Sequence, residues 1–274
     1  AQVPAGTPRE AANVPVPPAI ALPRTLSELL EEAVSSSGDA HFLGVRTSST
    51  RDFAMTMAEF GVAVANAAAR MAAAVPPGAR ILVQGAPGPG FAAALFAAGR
   101  ANIVLVPLDV RMTADTIDRI AALTEPSAIL LGTGSTVEPV TIPRLAALPV
   151  IDLDDLPDAA PAEARAVLAT RAPADPDAPV EILCTSGSTG NPKGVTMTQT
   201  MLLASTIRCL QTIPAGGNRF VSILPLSHIM EQVAGVIYAA AAGAETEYIT
   251  TLRPDVIAAA IKGVPLLIFV VVLV

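Results

Sequence analysis

Between Thr185 and Gly194 the sequence runs Thr-Ser-Gly-Ser-Thr-Gly-Asn-Pro-Lys-Gly. Gly187, Gly190 and Gly194 let the backbone turn successive N–H groups toward an anion. Thr185, Ser186, Ser188 and Thr189 add hydroxyl donors, and Lys193, behind Asn191-Pro192, supplies a mobile positive charge. Donors of these kinds at this density describe a cradle for a polyphosphate. Two other phosphate loops do not fit. The Walker A pattern needs Gly-Lys followed by Ser or Thr, whereas Pro192 precedes Lys193 and Gly194 follows it. The dinucleotide fingerprint GxGxxG is absent too: Gly85-Ala86-Pro87-Gly88-Pro89-Gly90 orders its glycines differently and reads as a turn before a helix. A generic Ser/Gly stretch is a flexible surface turn. Here the fixed Pro and Lys, between an expected strand and an expected helix, favour a ligand site.

The chain has two histidines. His228 ends the segment Leu224-Pro225-Leu226-Ser227-His228, at an expected helix start, where local backbone can also satisfy an imidazole. His41 has no motif around it and is expected at the surface. Cys184, in the strand before the glycine-rich segment, reads as a small buried hydrophobe. Met230, Val233 and Tyr238 fit either an acyl-lined pocket or ordinary core.

The elements that must position these residues alternate. Thr25-Leu26-Ser27-Glu28 and Thr56-Met57-Ala58-Glu59 are S/T-x-x-E capping boxes, each opening a helix. Leu26, Leu29, Leu30 and Val34 form the first apolar face; Phe60, Ala63, Val64, Ala67 and Met71 form the second, which Pro76-Pro77-Gly78 ends. Strands are then expected at 80–83, 103–106 and 128–131, with helices at 91–98 and 113–123. The pattern resumes with a strand at 180–184, the glycine-rich loop, a helix at 198–211 and a strand at 220–224. A helix at 229–242, a strand at 247–249 and a helix at 254–261 follow. Short apolar runs separated by helices indicate an α/β fold whose parallel sheet is covered on both faces. Residues 159–179, dense in Ala, Pro and Asp, read as a linker or surface excursion between subdomains at 25–158 and 180–274. Residues 1–24 read as a flexible Pro/Ala-rich tail without signal-peptide character. The apolar run 264–274 is too short for a membrane helix and reads as a buried strand.

Composition narrows the partners. Of 274 residues 52% are hydrophobic, enough for a large core, and the formal net charge is −7 with 3% aromatics. Such a chain offers neither a basic surface nor a stacking platform, so nucleic acid is not an expected partner. Two cysteines without CxxC spacing support neither a disulfide scaffold nor structural zinc, and a cytoplasmic location is the default expectation.

Thr185–Val195, TSGSTGNPKGV, resembles the signature loop of the adenylate-forming, AMP-binding superfamily of acyl-CoA synthetases, peptide-synthetase adenylation domains and luciferases. Leu224-Pro225-Leu226-Ser227-His228 is similar to the family's next core motif, and Glu231 with Gly235 resembles its long-chain acyl-CoA synthetase version. Val106-Pro107-Leu108-Asp109 is similar to a PLD-like turn of family members. The resemblance covers roughly Leu26 onward and implies the large N-terminal α/β domain of such enzymes. It implies ATP with Mg2+, a carboxylic acid substrate, fatty or otherwise hydrophobic, and coenzyme A or a carrier-protein thiol as acceptor. An amino-acid-activating domain, and a non-catalytic docking module, are the rival readings. By resemblance Thr185, Ser186, Gly187, Ser188, Thr189, Gly190 and Lys193 hold phosphates, with Thr189 reaching metal only through Mg-ATP. The resemblance implies that His228 is the catalytic residue, since the matching residue of family members lies beside the acyl carboxylate and the nucleotide.

The chain departs from that pattern in places. No Tyr-Gly-x-Thr-Glu segment, later ribose-binding aspartate or C-terminal catalytic lysine is found, so an incomplete ligase with little activity of its own is expected, the remaining portion being a candidate separate partner. Gln199 stands where many relatives have His.

Overall fold

The computed structural model describes residues 23–186, 192–212, 219–262 and 267–269. Helix α1 (Leu26–Ser37) begins where the Thr25 hydroxyl accepts the Glu28 N–H at 3.1 Å. The reciprocal arm of that box is displaced by one residue, because Glu28 Oε2 accepts from Arg24 N–H at 2.7 Å. A hairpin follows, β1 (His41–Arg46) and β2 (Phe53–Thr56), which periodicity did not reveal. Helix α2 (Met57–Ala74) has the complete box, Thr56 Oγ1 accepting from Glu59 N and Glu59 Oε2 from Thr56 N. All five apolar residues expected on one side of it are buried.

Strand β3 (Arg80–Gln84), helix α3 (Pro89–Ala101), strand β4 (Val104–Pro107), helix α4 (Ala114–Thr124) and strand β5 (Ala128–Leu131) then alternate as expected. Strand β6 (Val150–Asp152) and helix α5 (Ala162–Ala169) lead to β7 (Pro179–Ser186), β8 (Pro192–Thr198) and α6 (Gln199–Thr212). Beyond them lie β9 (Arg219–Ser222), α7 (Ile229–Glu231), a π-helical segment Gln232–Ile237, α8 (Tyr238–Ala242), β10 (Glu245–Ile249), α9 (Pro254–Ile261) and β11 (Leu267–Phe269).

Among the described residues these strands make two sheets, ordered β6-β5-β3-β4-β7-β8 and β11-β9-β10-β1-β2. The first is parallel apart from β8, and the second is parallel apart from β2. Helices flank them. Ala-rich α3 is buried almost throughout against α2 and β3, small side chains allowing that close approach, while Ile117, Ile120 and Ala121 of α4 cover Leu82, Val106 and Ile129 on the opposite face.

Strand pairing and side-chain contacts run across the expected boundaries at 158 and 180. The sheets do not follow a division at 25–158 and 180–274: β7 and β8 complete the first sheet, and β1 and β2 complete the second beside β10. Local periodicity identifies elements, but pairing is a long-range property. Residues 159–179, expected as a linker or surface excursion, make contacts of their own. Ala160 and Ala164 pack on Ala69 of α2, and Asn66 bonds both Pro157 O and Ala160 N. Arg171 donates to the Ala72 and Val75 carbonyls that end α2. Those carbonyls lack partners within the helix, which is why an arginine there docks the segment.

Of the 264–274 run, Leu267–Phe269 pairs in parallel with β9; the other residues of that run, like 1–22, lie outside the described residues. Among the described residues no helix is long and apolar enough to cross a membrane.

Candidate functional site

The glycine-rich segment joins two antiparallel strands rather than a strand and a helix. Ser186 of β7 pairs with Pro192 of β8, and Thr185 with Lys193, so the turn between them is closed by a hairpin. Gly187, Ser188, Thr189, Gly190 and Asn191 lie outside the described residues, as does the side chain of Ser186. Thr185 and Lys193 are directly opposed and exposed, which places both side chains on one face at the mouth of the turn. Among the described residues no carboxylate pairs with Lys193. Gly194 is extended strand, not turn. A Cβ there would come 2.9 Å from Ile182 Cγ2, so close packing accounts for this glycine.

The strand register brings a second group to the same edge. Leu105 of β4 pairs in parallel with Glu181 of β7, so Asp109 and Thr185, each four residues further on, both lie toward the C-terminal edge of the sheet. Asp109 is well held. Arg111 donates Nε and its backbone N–H to Oδ1, at 2.9 and 2.8 Å, and Nη2 to Oδ2 at 2.7 Å. Its carbonyl accepts from the buried Gln84 amide at 2.9 Å. The Arg111 side-chain bonds hold the Asp109 carboxyl below the usual carboxylate range, against partial burial, with smaller help from His228.

His228 reaches this aspartate from the other sheet. It caps α7 after a turn in which His228 N donates to Pro225 O at 3.0 Å, and its carbonyl accepts from the N–H groups of Glu231 and Gln232. Its Nε2 stands 3.4 Å from Asp109 Oδ2, with the imidazole side chain 43% exposed. A half-open imidazole beside an anchored carboxylate can hold a proton at Nε2 and meet a ligand. The two motifs that the sequence offered separately therefore meet.

The π-helical segment behind His228 carries residues whose contacts the sequence did not reveal. Gln232 is fully buried and donates from Nε2 to Glu181 Oε1 at 2.7 Å and to Leu226 O at 2.8 Å. Burial pushes the Glu181 carboxyl up to about 7, the Gln232 bond opposing it. Burial likewise pushes Glu231 up to about 7, with the Ser222 hydroxyl opposing it weakly and outside hydrogen-bond geometry. The Glu231 side chain occupies space that a Cβ on Gly235 would need, and Thr246 Oγ1 caps the Gly235 carbonyl at 2.6 Å. A π turn widened over a glycine is thus filled by its own carboxylate. Glu231 and Gly235, quoted together in the sequence motif, touch.

Other candidates fall into place as scaffold. Val233 and Tyr238 join the core, Tyr238 edge-on to Phe220, whereas Met230 is exposed. Cys184 packs on the α4 side of the first sheet, and burial pushes its thiol to about 11. His41 is exposed at the start of β1. Gln199 is 1% exposed and its Oε1 accepts the Leu26 N–H at 3.0 Å, tying α6 to α1. Cavities of about 490 and 550 Å3 are described at the start of β4 and beside the α3 N-terminus, away from His228. Among the described residues no group of three or more His, Cys, Asp and Glu side chains could hold a metal ion, so these residues offer no dedicated magnesium cage.

The family model described as AMP-binding enzyme matches residues 30–272. The chain belongs to that family. It is 32% identical over 193 residues to a feruloyl-CoA synthase of Amycolatopsis sp, covering 69% of this chain and 37% of that protein. It is 33% identical over 123 residues to the fatty acid–[acyl-carrier-protein] ligase MmaC of Mycobacterium marinum, covering 43% of this chain and 23% of that one. The chain thus spans well under half the length of these relatives. In fold it is similar to the N-terminal domain of FACL13 from Mycobacterium tuberculosis, with a TM-score of 0.74 at 19% identity, covering 86% of this chain and 60% of that one. It is also similar to o-succinylbenzoate coenzyme A synthetase (MenE) from Bacillus subtilis in complex with ATP and magnesium ion, with a TM-score of 0.69 at 18% identity, covering 85% and 60%. As a family member the chain shares the parallel, helix-flanked sheets of acid–thiol ligases that form AMP.

Proposed function

We propose that these residues bind the phosphates of ATP for the activation of a hydrophobic carboxylic acid, in a protein that forms an acyl-adenylate and then a thioester. What supports this reading is the 3.4 Å approach of His228 Nε2 to Asp109 Oδ2, which follows the strand beside the one carrying Thr185 opposite Lys193, in an AMP-binding family member. In the first step a carboxylate oxygen bonds to the α-phosphorus, and the bond to the β-phosphate oxygen breaks, releasing pyrophosphate. In the second a thiolate sulfur bonds to the acyl carbon and AMP leaves. Both steps hold anions together, so the chain's task is electrostatic. Lys193, unpaired among described residues, meets the departing pyrophosphate with Thr185 and the glycine-rich turn, while His228 stands beside the acyl carboxylate. Magnesium arrives with ATP in this reading, and no described side chain is assigned to it.

Feruloyl-CoA synthase and a fatty-acid ligase among the relatives support a hydrophobic acid, with coenzyme A or a carrier-protein thiol as acceptor. A D-alanine–D-alanyl carrier protein ligase of Listeria monocytogenes, 31% identical over 148 residues, keeps amino-acid activation as the competing substrate class. The two free cysteines fit a cytoplasmic setting. Calorimetric titration with Mg-ATP tests the core of the proposal. Lys193→Ala is expected to weaken binding at least about tenfold, or roughly 1.4 kcal/mol, with an unchanged melting temperature. Equal affinity in both proteins, or none in the wild type, would overturn it. ATP–pyrophosphate exchange with fatty, aromatic and amino acids then sorts the substrate classes.

A further inference from the structure

The candidate site is assembled from two sheets, and something must fix one against the other. The glycine-rich turn hangs on β7 and β8 of the first sheet, whereas His228 follows β9 of the second. Gln232 spans that join. Its amide nitrogen donates both to Glu181 on β7, five residues before Ser186, and to the carbonyl of Leu226, two residues before His228. Its own backbone N–H is bonded to His228 O at 3.2 Å, so the residue is anchored on the turn it braces.

This tie is unfavourable as a source of stability. Glu181 and Gln232 are both fully buried, and among the described residues Glu181 Oε2 and Gln232 Oε1 have no hydrogen-bond partner. A buried polar pair with half its groups unsatisfied is less stabilising than apolar side chains of the same volume. What it supplies is a fixed direction and distance, because two hydrogen bonds from one nitrogen determine where β7 stands relative to the His228 turn. Apolar contact alone would leave that relation free to slide.

We propose that Gln232, anchored by Glu181, is a positioning residue that sets His228 against the β7–β8 pair carrying Thr185 and Lys193. It touches neither substrate nor reacting atoms. The inference rests on the phosphate-binding reading above, and its test keeps the two apart.

The probe is pyrophosphate, titrated into the chain with 13C-labelled histidine. Of the two imidazoles, His41 lies at the start of β1 and serves as an internal reference. In the wild type, pyrophosphate is expected to shift the His228 signal and leave His41 unmoved. The variant E181L/Q232L is expected to melt no lower than wild type and to bind pyrophosphate within about threefold, under 1 kcal/mol. Its His228 response should nevertheless be lost. Glu181→Gln, which keeps an acceptor for the Gln232 amide, should retain the response. If E181L/Q232L does not fold, Q232M keeps the side-chain length, loses the amide and carries the same test.

An unchanged His228 response in E181L/Q232L or Q232M overturns the positioning role while leaving phosphate binding intact. So does loss of the response in Glu181→Gln. Failure of pyrophosphate to bind the wild type overturns the phosphate-binding reading itself, and the positioning role with it.

Discussion

His228 Nε2 lies 3.4 Å from Asp109 Oδ2, joining two short motifs 119 positions apart in the chain across the edge between the two sheets. The aspartate is the fixed partner: Arg111 grips both its oxygens, and Gln84 holds its carbonyl. The imidazole is the open one, half-exposed at the end of a turn. If they act as a unit, their removal is not additive. Asp109→Asn and His228→Ala should each weaken Mg-ATP binding, and the double variant should bind no more weakly than His228→Ala within about 0.5 kcal/mol. Fully additive losses would mean that the two side chains act apart.

Much of this arrangement was legible in the residues, and what was missing has a common cause. Thr56 and Glu59 announced α2 because both partners of a capping box are local. The Ala128–Leu131 strand and the Pro254–Ile261 helix were also readable from their own composition. Strand β8 was not, since Pro192, Lys193 and Gly194 are poor strand formers held extended by pairing with β7. The result was a turn assigned to a strand–helix junction when it closes a hairpin. Strand β1 was hidden for the same reason, its parallel partner β10 lying about 200 residues away. At the site, Lys193 and His228 were named from their motifs. Glu181 and Gln232 could not be, because neither signals a partner until the chain brings them within 2.7 Å.

Gly235 shows how the motif pairing works. An alanine there would put its Cβ inside van der Waals contact with Glu231 Oε1, so the buried Glu231 side chain would have to shift. Gly235→Ala is expected to destabilise the chain by about 1–3 kcal/mol, the usual cost of overpacking. Removing the obstruction should restore much of it, so E231A/G235A should be more stable than Gly235→Ala alone in urea unfolding. A double variant weaker than both singles would place the clash elsewhere.

Gln199 follows the hairpin directly, yet its contacts are structural. Its side chain lies against Gly99, where a Cβ would come within 2.6 Å, and its Oε1 takes the buried N–H of Leu26. Gln199→Ala leaves that donor without a partner, for which about 1–3 kcal/mol is expected. Pyrophosphate affinity should not change. A loss of affinity larger than the loss of stability would bring Gln199 into the phosphate site.

The two buried carboxyls give the chain a pH signature opposite to that of ordinary surface acids. Burial raises Glu181 and Glu231 from 4.5 to about 7, so the folded chain keeps two protons that the unfolded chain has already released. Their contribution is whole below pH 4.5 and is lost as pH rises through 7, after which stability is level. At about 1.4 kcal/mol per unit, the effect is of order 3 kcal/mol for each carboxyl. Asp109 works the other way. Arg111 lowers its pKa, so its contribution is present above the ordinary value of 3.8 and disappears in stronger acid. Together these place the stability maximum near pH 4, between the ordinary aspartate and glutamate values, with a decline toward neutrality that Glu181→Gln and Glu231→Gln should each reduce by about half. Urea midpoints measured from pH 4 to 8 decide it: a wild-type profile that is flat or rising between pH 5 and 7 is incompatible with these carboxyls being buried as protonated groups.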